Sequence, residues 1–306
     1  MIDNPIYKAQ CFGNVEPIEY MVPYPNLRSL AVGQCIKFSE NILFQDNGLT
    51  NGDFLKLINK YSNWLSEKGI VEGDRVFVQN INSPIYEILS YAIWSHGAVL
   101  IISDESDIDK IINIVKPTLV IDSISKINFD EIENLPDDYV TNSNILLDDE
   151  AVLFFHKNKG IRLSHYNLLI NTYGVLKELN ILHKEFIKVD IPTNSTTYLV
   201  LNNILPLYAG TTISIDEADI VFGLNKKSDF RIQFDWKNLK DTKPQSLYIL
   251  PEATAILSIG DKPNHLMLVN KKDNKFKING HSVMMGYLQD KLNKEVFKSG
   301  SLIISK

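Results

Sequence analysis

Three basic side chains stand close together near the middle of the chain, where they could attract an anion. Lys157, Lys159 and Arg162 lie in a short connector that follows an apolar run, residues 151–155, and ends just before Ser164. Ser164 can cap the helix predicted after it, because its hydroxyl can accept from an unpaired N–H of the first turn. The spacing predicts anion contacts at Lys157 and Arg162, with an exposed basic turn as the alternative interpretation.

A strand, a turn and a helix N-terminus form the usual frame of a phosphate site, because backbone N–H groups and the helix dipole point at the anion. Such a site also needs a glycine-rich turn, so that the backbone can approach the phosphates closely. The connector, residues 156–163, holds one glycine, Gly160. The sequence therefore predicts the strand, turn and helix N-terminus of a phosphate site without the glycine-rich turn that would contact the phosphates.

Other site chemistries find little support in the sequence. The histidines show no paired metal-ligand spacing: they are His96, His156, His165, His183, His265 and His281. Adjacency of Ser164 to His165 does not make a nucleophile and its base. A single acid, Glu252, could meet a metal ion, or it is a surface or capping acid. We therefore predict no catalytic residue and no metal site.

The composition is that of an ordinary globular protein. The chain has 306 residues, 44% of them hydrophobic and 22% charged, with a net charge of −6 at pH 7. Its Lys and Arg residues are scattered, which argues against nucleic-acid binding, and no segment predicts membrane insertion. Cys11 and Cys35 cannot build a disulfide framework, and no signal peptide is visible. These features predict a cytoplasmic protein.

Around the connector, helical and strand patterns alternate along the chain. Residues 50–69 predict a helix capped by Thr50, and the patterns at 84–97 and 107–115 predict two more. A strand-like run follows each of these helices. This alternation between residues 50 and 122 predicts an α/β fold, with parallel βαβ sheets and helices on both faces.

The remaining segments predict less regular structure. Residues 1–34 are dotted with prolines and predict a surface leader, and residues 123–144 predict a solvated acidic linker. Residues 198–201 predict a strand or a short buried piece. A β-hairpin is predicted around residues 271–274. The expected organisation is therefore an α/β core at 1–257 and a small β-rich module at 258–306.

Several motifs in order resemble the large N-terminal domain of the adenylate-forming enzymes, which include acyl-CoA synthetases, nonribosomal peptide adenylation domains and luciferases. Residues 163–168, Leu-Ser-His-Tyr-Asn-Leu, are similar to the helix start that follows the family's phosphate loop. Residues 248–252 resemble its tyrosine-glycine-x-threonine-glutamate motif. Residues 280–288, Gly-His-Ser-Val-Met-Met-Gly-Tyr-Leu, resemble the stretch before its hinge. No single motif is specific, but their order is, and it implies the fold of that domain.

The departures from the family pattern concern the residues that hold ATP. Residues 155–160 replace the glycine-rich phosphate loop and keep at most its closing lysine and glycine. Residues 191–197 lack the aromatic and histidine side chains expected there. The vestigial nucleotide-site positions that the resemblance implies are Lys159, Gly160, Ser164, Tyr248, Glu252 and Lys306, where Lys306 falls at or near a ribose-binding aspartate. The C-terminal lid domain, with its catalytic lysine, is expected to be absent.

These departures predict a pseudoenzyme that serves as a binding, scaffold or accessory subunit. The family would use ATP and magnesium, and we expect no cofactor here, with ATP binding weak or absent. The resemblance implies a protein partner, such as a carrier protein or an enzyme of an acyl, polyketide or peptide pathway. Two alternatives stay open: a ligase whose divergent ATP loop is completed in trans, and a binding protein that kept an acyl or aryl pocket. The sequence leaves the oligomeric state open.

Overall fold

The structure, a computed structural model, describes residues 4–18, 20, 22–234, 245–272 and 275–305. Within these residues the α-helices are α1 (Pro5–Gln10), α2 (Leu27–Lys37), α3 (Asn51–Glu67), α4 (Ile85–Ser95), α5 (Ile108–Val115), α6 (Phe129–Glu133), α7 (His165–Leu179), α8 (Thr196–Tyr198), α9 (Leu205–Ala209) and α10 (Asp290–Val296). A π-helical segment, Leu199–Ile204, joins α8 to α9, and short 3₁₀ turns lie at Gln45–Asn47, Ile124–Lys126 and Pro251–Ala253.

The strands form three sheets within the described residues. They are β1 (Ile42–Phe44), β2 (Leu49–Thr50), β3 (Arg75–Val78), β4 (Val99–Ser103), β5 (Leu119–Ile121), β6 (Glu150–His156), β7 (Lys159–Ser164), β8 (Phe186–Asp190), β9 (Thr212–Ile213), β10 (Ile220–Gly223), β11 (Phe230–Gln233), β12 (Ser246–Ile249), β13 (Ile256–Ile259), β14 (Lys262–Pro263), β15 (Met267–Lys272), β16 (Lys275–Gly280), β17 (Gly286–Tyr287), β18 (Phe297–Lys298) and β19 (Ser301–Ser305).

A six-stranded sheet carries the segment of the basic connector. Its strand order is β17-β7-β6-β4-β3-β5, and its β6, β4, β3 and β5 strands are parallel. Helix α4 links β3 to β4, and α5 links β4 to β5. Strand β4 is buried along its whole length, as expected for a strand covered on both faces. The predicted alternation of helices and strands between residues 50 and 122 is confirmed.

A nine-stranded sheet has the order β14-β13-β12-β11-β10-β8-β9-β1-β2. Its strands from β12 to β1 run parallel, and antiparallel strands lie at both edges. Together the two large sheets confirm the predicted α/β class. Of the two alternatives predicted for residues 198–201, the strand is wrong, because these residues belong to the helical run that contains the π-helical segment, and the short buried piece is confirmed. The apolar run is buried all round, a pattern that periodicity alone cannot assign to a strand or a helix.

The third sheet, β15-β16-β19-β18, is antiparallel and lies near the end of the chain. Strands β15 and β16 pair as the predicted hairpin, although its turn, residues 273–274, lies outside the described residues. Strand β13, at Ile256–Ile259, spans the proposed boundary between residues 257 and 258 and belongs to the nine-stranded sheet. The division of the chain into two domains stays a prediction.

Two segments are more ordered than the sequence predicts. Helix α2, inside the predicted leader, is capped by the Asn26 side chain and buries Leu27, Leu30 and Cys35. Within the predicted solvated linker, helix α6 buries Ile132. The Asn63 side chain on α3 donates to two backbone carbonyls of the same segment. Apolar residues in these segments stand singly between prolines and acidic residues. Their periodic signal was therefore too weak to predict α2 or α6.

Candidate functional site

The connector predicted at residues 156–163 is wrong for most of its length, because Lys159–Ser164 is a strand. Strands β6 and β7 form an antiparallel hairpin in which His156 pairs with Lys159. The two residues between them, Lys157 and Asn158, have positive φ angles of 50° and 61°. Positive φ at both central residues defines a type I′ turn, which matches the twist of a hairpin. A two-residue turn therefore stands where the resemblance implies a glycine-rich phosphate loop.

The hairpin also separates the residues that the connector prediction placed together. Ser164 pairs with Glu150 at the end of the hairpin far from the turn, roughly 20 Å away at the usual rise of a strand. Ser164 caps α7 as predicted: its hydroxyl accepts from the Asn167 N–H at 3.1 Å. Arg162 is engaged elsewhere, because its Nε donates to Glu150 Oε2 at 2.8 Å. Neither Ser164 nor Arg162 joins the lysines at the turn.

Two acidic side chains and one lysine contact the turn and the residue before it. The Asn158 N–H donates to Glu105 Oε1, and the Lys110 ammonium donates to Asn158 Oδ1. His156 Nδ1 lies 2.6 Å from Asp104 Oδ2. A carboxylate thus occupies a backbone donor that a phosphate would need. It also adds negative charge beside the position where an anion would sit.

A cavity of about 660 Å³ opens beside the turn. Six parts of the chain line it: the β6–β7 hairpin, the residue after β4, the start of α8, the residue after β11, the end of β12 with the segment after it, and the end of β19. Its lining residues are Asp104, Phe154, His156, Lys157, Lys159, Ser195, Thr196, Thr197, Phe234, Ile249, Leu250, Pro251, Glu252, Ile304 and Ser305. Ligand sites of α/β sheets commonly lie outside the carboxyl ends of parallel strands, and this cavity has that position.

Lys159 and Glu252 line the cavity, and both contact the buried Tyr287, which is not itself a lining residue. The Lys159 ammonium lies 5.3 Å from the centre of the Tyr287 ring, a cation–π distance. The Tyr287 hydroxyl donates to Glu252 Oε1 at 2.7 Å. Burial and the neighbouring Glu252 carboxylate raise the pKa of Tyr287 far above its usual range. Tyr287 therefore remains a neutral donor. Its hydrogen bond occupies one oxygen of Glu252, the acid that the sequence suggests as a metal ligand.

The other predicted site residues have different surroundings. Gly160 is a packing position: an added Cβ would lie 3.0 Å from Leu288 Cβ, and the Gly160 N–H donates to Gln289 Oε1 at 3.2 Å. Tyr248 is buried within β12 and is not among the cavity residues. Glu252 is buried rather than on the surface. Lys306 lies outside the described residues.

The sequence did not single out Asp104 and His156, which face each other across neighbouring strands. Ser103 pairs with Phe155 in the parallel β4–β6 ladder, so the next residues along both strands come together at the same sheet edge. The signal was available as two polar residues that directly follow two predicted strands. Finding it needed the strand pairing, which the sequence alone did not give.

The described residues also limit what the site can hold. No group of three or more His, Cys, Asp or Glu side chains among them could hold a metal ion. No described helix combines the length and the apolar composition that spanning a bilayer requires. Neither Cys11 nor Cys35 forms a disulfide within the described residues, and burial raises the pKa of Cys35 to about 12.

The fold is that of the large N-terminal domain of the adenylate-forming enzymes, as the resemblance implied. No protein-family model matches the sequence, and no curated protein matches it. Solved structures do match over most of the chain. MatB from Rhodopseudomonas palustris, in its apo form, has a TM-score of 0.75 at 16% identity, covering 91% of this chain and 75% of its own.

Two further structures are similar to the same extent. The N-terminal domain of FACL13 from Mycobacterium tuberculosis has a TM-score of 0.71 at 13% identity, covering 90% of this chain and 95% of its own. McyG A-PCP, complexed with phenylalanyl-adenylate, has a TM-score of 0.76 at 14% identity, covering 92% of this chain and 73% of its own. At these identities the comparison establishes the fold, and the chemistry must come from the site.

Proposed function

We propose that this chain is a non-catalytic homologue of the adenylate-forming enzymes that does not hold the triphosphate of ATP. The observation that carries the proposal is the two-residue turn between His156 and Lys159. Phosphoryl and nucleotidyl transfer depend on positioning and on neutralising the phosphate charge, through backbone donors, cations and magnesium. A turn of this length offers no concave run of amides for that purpose.

The donors and charges near the turn support the same conclusion. The N–H groups of Asn158 and Gly160 donate to side chains of the protein, Glu105 and Gln289. In the cavity lining, the two lysines are matched by two carboxylates, those of Asp104 and Glu252. A lining without excess positive charge gives little electrostatic attraction to a highly charged anion.

The role that fits such a homologue is a binding or accessory subunit in the cytoplasm. One of the similar structures is an A-PCP protein with a bound adenylate, so a carrier protein or a biosynthetic enzyme is the partner class that we propose. The basis for this partner is the shared fold. An acyl, polyketide or peptide pathway is the expected setting.

Two other functions are separated from this one by ATP binding and by ligand binding. A ligase completed in trans requires ATP to bind with magnesium, because its own cavity would still have to hold the nucleotide. A small-molecule binding protein requires only the cavity, whose volume lies in the usual range for ligand sites. The cavity favours small-molecule binding over a ligase completed in trans, and we propose that this binding accompanies the accessory role.

The test is calorimetry with ATP and Mg²⁺, together with pyrophosphate exchange over a panel of carboxylic acids. We expect no exchange and no ATP binding below millimolar concentration. Glu105→Gln removes the carboxylate at the turn, and Asp109→Asn makes the same charge change on the exposed face of α5. If the carboxylate repels anions, pyrophosphate binding improves more in Glu105→Gln than in Asp109→Asn. Micromolar binding of ATP, or robust exchange, would overturn the proposal.

A further inference from the structure

The His156 imidazole is held in one orientation at the edge of the cavity. Its Nδ1 lies 2.6 Å from Asp104 Oδ2, and its ring stacks on Phe154 with 5.8 Å between the ring centres and 20° between their planes. A carboxylate only accepts hydrogen bonds, so Nδ1 carries the proton. In the neutral imidazole, Nε2 is then an acceptor. No described residue hydrogen-bonds to this Nε2.

The hairpin places His156 and Lys159 side by side. They are the pair that closes the two-residue turn, so their side chains leave the same face of the sheet, and both line the cavity. Phe154, two residues before His156, shares that face. An acceptor nitrogen, a cation and an aromatic ring therefore border the same space.

The rest of the lining selects for a ligand without a full charge. Apolar side chains supply much of the wall: Phe154, Phe234, Ile249, Leu250, Pro251 and Ile304. The two lysines are balanced by Asp104 and Glu252, so neither a strong anion nor a cation is favoured. A neutral ligand with an apolar body and one hydrogen-bond donor satisfies the free acceptor and the apolar wall together.

We infer that the cavity binds a hydroxyaryl compound, with the ring against Phe154 and Phe234 and the hydroxyl donating to His156 Nε2. The nearby Lys159 ammonium stabilises the partial negative charge that this donation leaves on the oxygen. Asp104 is a positioning residue, since it fixes the tautomer that makes Nε2 an acceptor. The inference rests on the proposed function only in that the cavity is then free of nucleotide in the cell, whereas the binding preference itself does not require this.

The test compares two probes by calorimetry on the full chain. 2-Naphthol has the ring and the donor, and 2-methoxynaphthalene has the ring without the donor. We expect 2-naphthol to bind about fivefold more tightly, which corresponds to one net hydrogen bond. Equal affinities, or no binding of 2-naphthol, would overturn the inference. This comparison uses the wild-type chain, so it does not depend on the folding of any variant.

Three variants assign the preference to residues. His156→Phe keeps a ring and removes the acceptor, so the preference for 2-naphthol should disappear while 2-methoxynaphthalene binds as before. Asp104→Asn should reduce the preference in the same way, which a purely structural role would not do. His183→Phe makes the matched change at an exposed histidine that does not line the cavity, and it should keep the full preference. A preference that survives in His156→Phe would contradict the assignment.

Adding ATP and Mg²⁺ to the same titration separates this inference from the proposed function. If ATP displaces 2-naphthol, the proposed function fails, whereas the hydroxyl preference stands. If ATP has no effect and the probes bind equally, the hydroxyaryl inference fails, whereas the proposed function stands.

Discussion

The two ends of the β6–β7 hairpin both lie where the resemblance implies family motifs, but the residues at the two ends make different contacts. At the Ser164 end, Asn167 Oδ1 accepts from the Ser164 N–H at 3.1 Å. Asn167 Nδ2 donates to the carbonyls of His281 and Val283 at 2.9 and 3.1 Å. At the opposite end, a two-residue turn stands where the resemblance implies a phosphate loop, and the Asn158 N–H of that turn donates to Glu105.

The difference separates residues that maintain the fold from residues that would perform chemistry. Asn167 fastens α7 to the segment before β17, so the family-like residues there are needed whether or not ATP binds. The turn, in contrast, only closes the β6–β7 ladder, which is continuous from Val152 to His156. Resemblance at the Ser164 end therefore reports the fold, and an inference about activity has to start from the turn.

The largest effect on this comparison is expected at Asn171, one turn after Asn167 in α7. Asn171 is fully buried: its Oδ1 accepts from the Ile256 N–H at 3.1 Å, and its Nδ2 donates to Ser282 Oγ at 3.1 Å. We expect Asn171→Leu to lower the free energy of unfolding by about 3 kcal/mol, because buried partners are left unpaired. Urea denaturation measures the change. Asn134→Leu, at an exposed asparagine, should cost less than about 0.5 kcal/mol. A loss below about 1 kcal/mol for Asn171→Leu would contradict the fastening role.

A second test uses pH at the same end of the hairpin. His165 is fully buried, and its Nδ1 accepts from the Leu27 N–H at 3.4 Å. Burial lowers the pKa of His165 to about 3, from the usual value of about 6.5 for histidine. The unfolded chain therefore binds more protons between these pH values, and stability is lost as the pH falls from 6.5 towards 3.

The size of this effect follows from the separation of the two pKa values. Between pH 7 and pH 5 the neutral, buried His165 should account for about 2 kcal/mol of lost stability. His165→Gln keeps a side-chain acceptor and should lose that much less over the same interval, as measured by urea denaturation at both pH values. His183→Gln, at an exposed histidine, should follow the wild-type chain. Identical pH slopes for His165→Gln and the wild-type chain would show that His165 is not held neutral.

Gly160 gives a smaller test near the turn. The residue matches the closing glycine of the phosphate loop, but a Cβ there would lie 3.2 Å from both Leu153 Cδ1 and Phe155 Cζ. We expect Gly160→Ala to cost about 1.5 kcal/mol through overpacking, measured by urea denaturation. Gly33→Ala is a matched control in α2, where the nearest side-chain atom would be at an ordinary 3.6 Å. If Gly160→Ala is neutral, the glycine is not retained for packing.

The sequence predicted the fold best where local signals agreed with one another. Thr50 caps α3 through the Asp53 N–H, and Asp107 caps α5. Caps and helical periodicity identified these helices without any long-range information. The hairpin at residues 150–164 was missed for the opposite reason. Lys157 and Asn158 are not the Asn-Gly or Asp-Gly pair that marks a type I′ turn, so the alternation at Ile161 and Leu163 was not recognised as a strand.

The candidate site was only partly visible in the sequence, because contacts across strands build it. Lys159 and Glu252 were predicted, and the structure places both in the cavity lining. Asp104 and Tyr287 were not predicted, since nothing near them in sequence shows which residues they meet. Local spacing can suggest a frame, but strand pairing decides which side chains share a space.

The smallest expected effect lies in the turn itself. Lys157 adopts a φ of 50°, a conformation that costs most side chains energy but that asparagine tolerates. We therefore expect Lys157→Asn to raise the free energy of unfolding by about 0.5 kcal/mol, as measured by urea denaturation. Lys226→Asn, at an exposed lysine without a positive φ, is the matched control and should change little. If Lys157→Asn stabilises the chain, Lys157 has no binding role that offsets its strained conformation. If Lys157 instead binds an anion, the substitution should lower the affinity for that ligand. If Lys157→Asn instead weakened ATP binding and left stability unchanged, the two ends of the hairpin would both be functional, and the contrast between them would be lost.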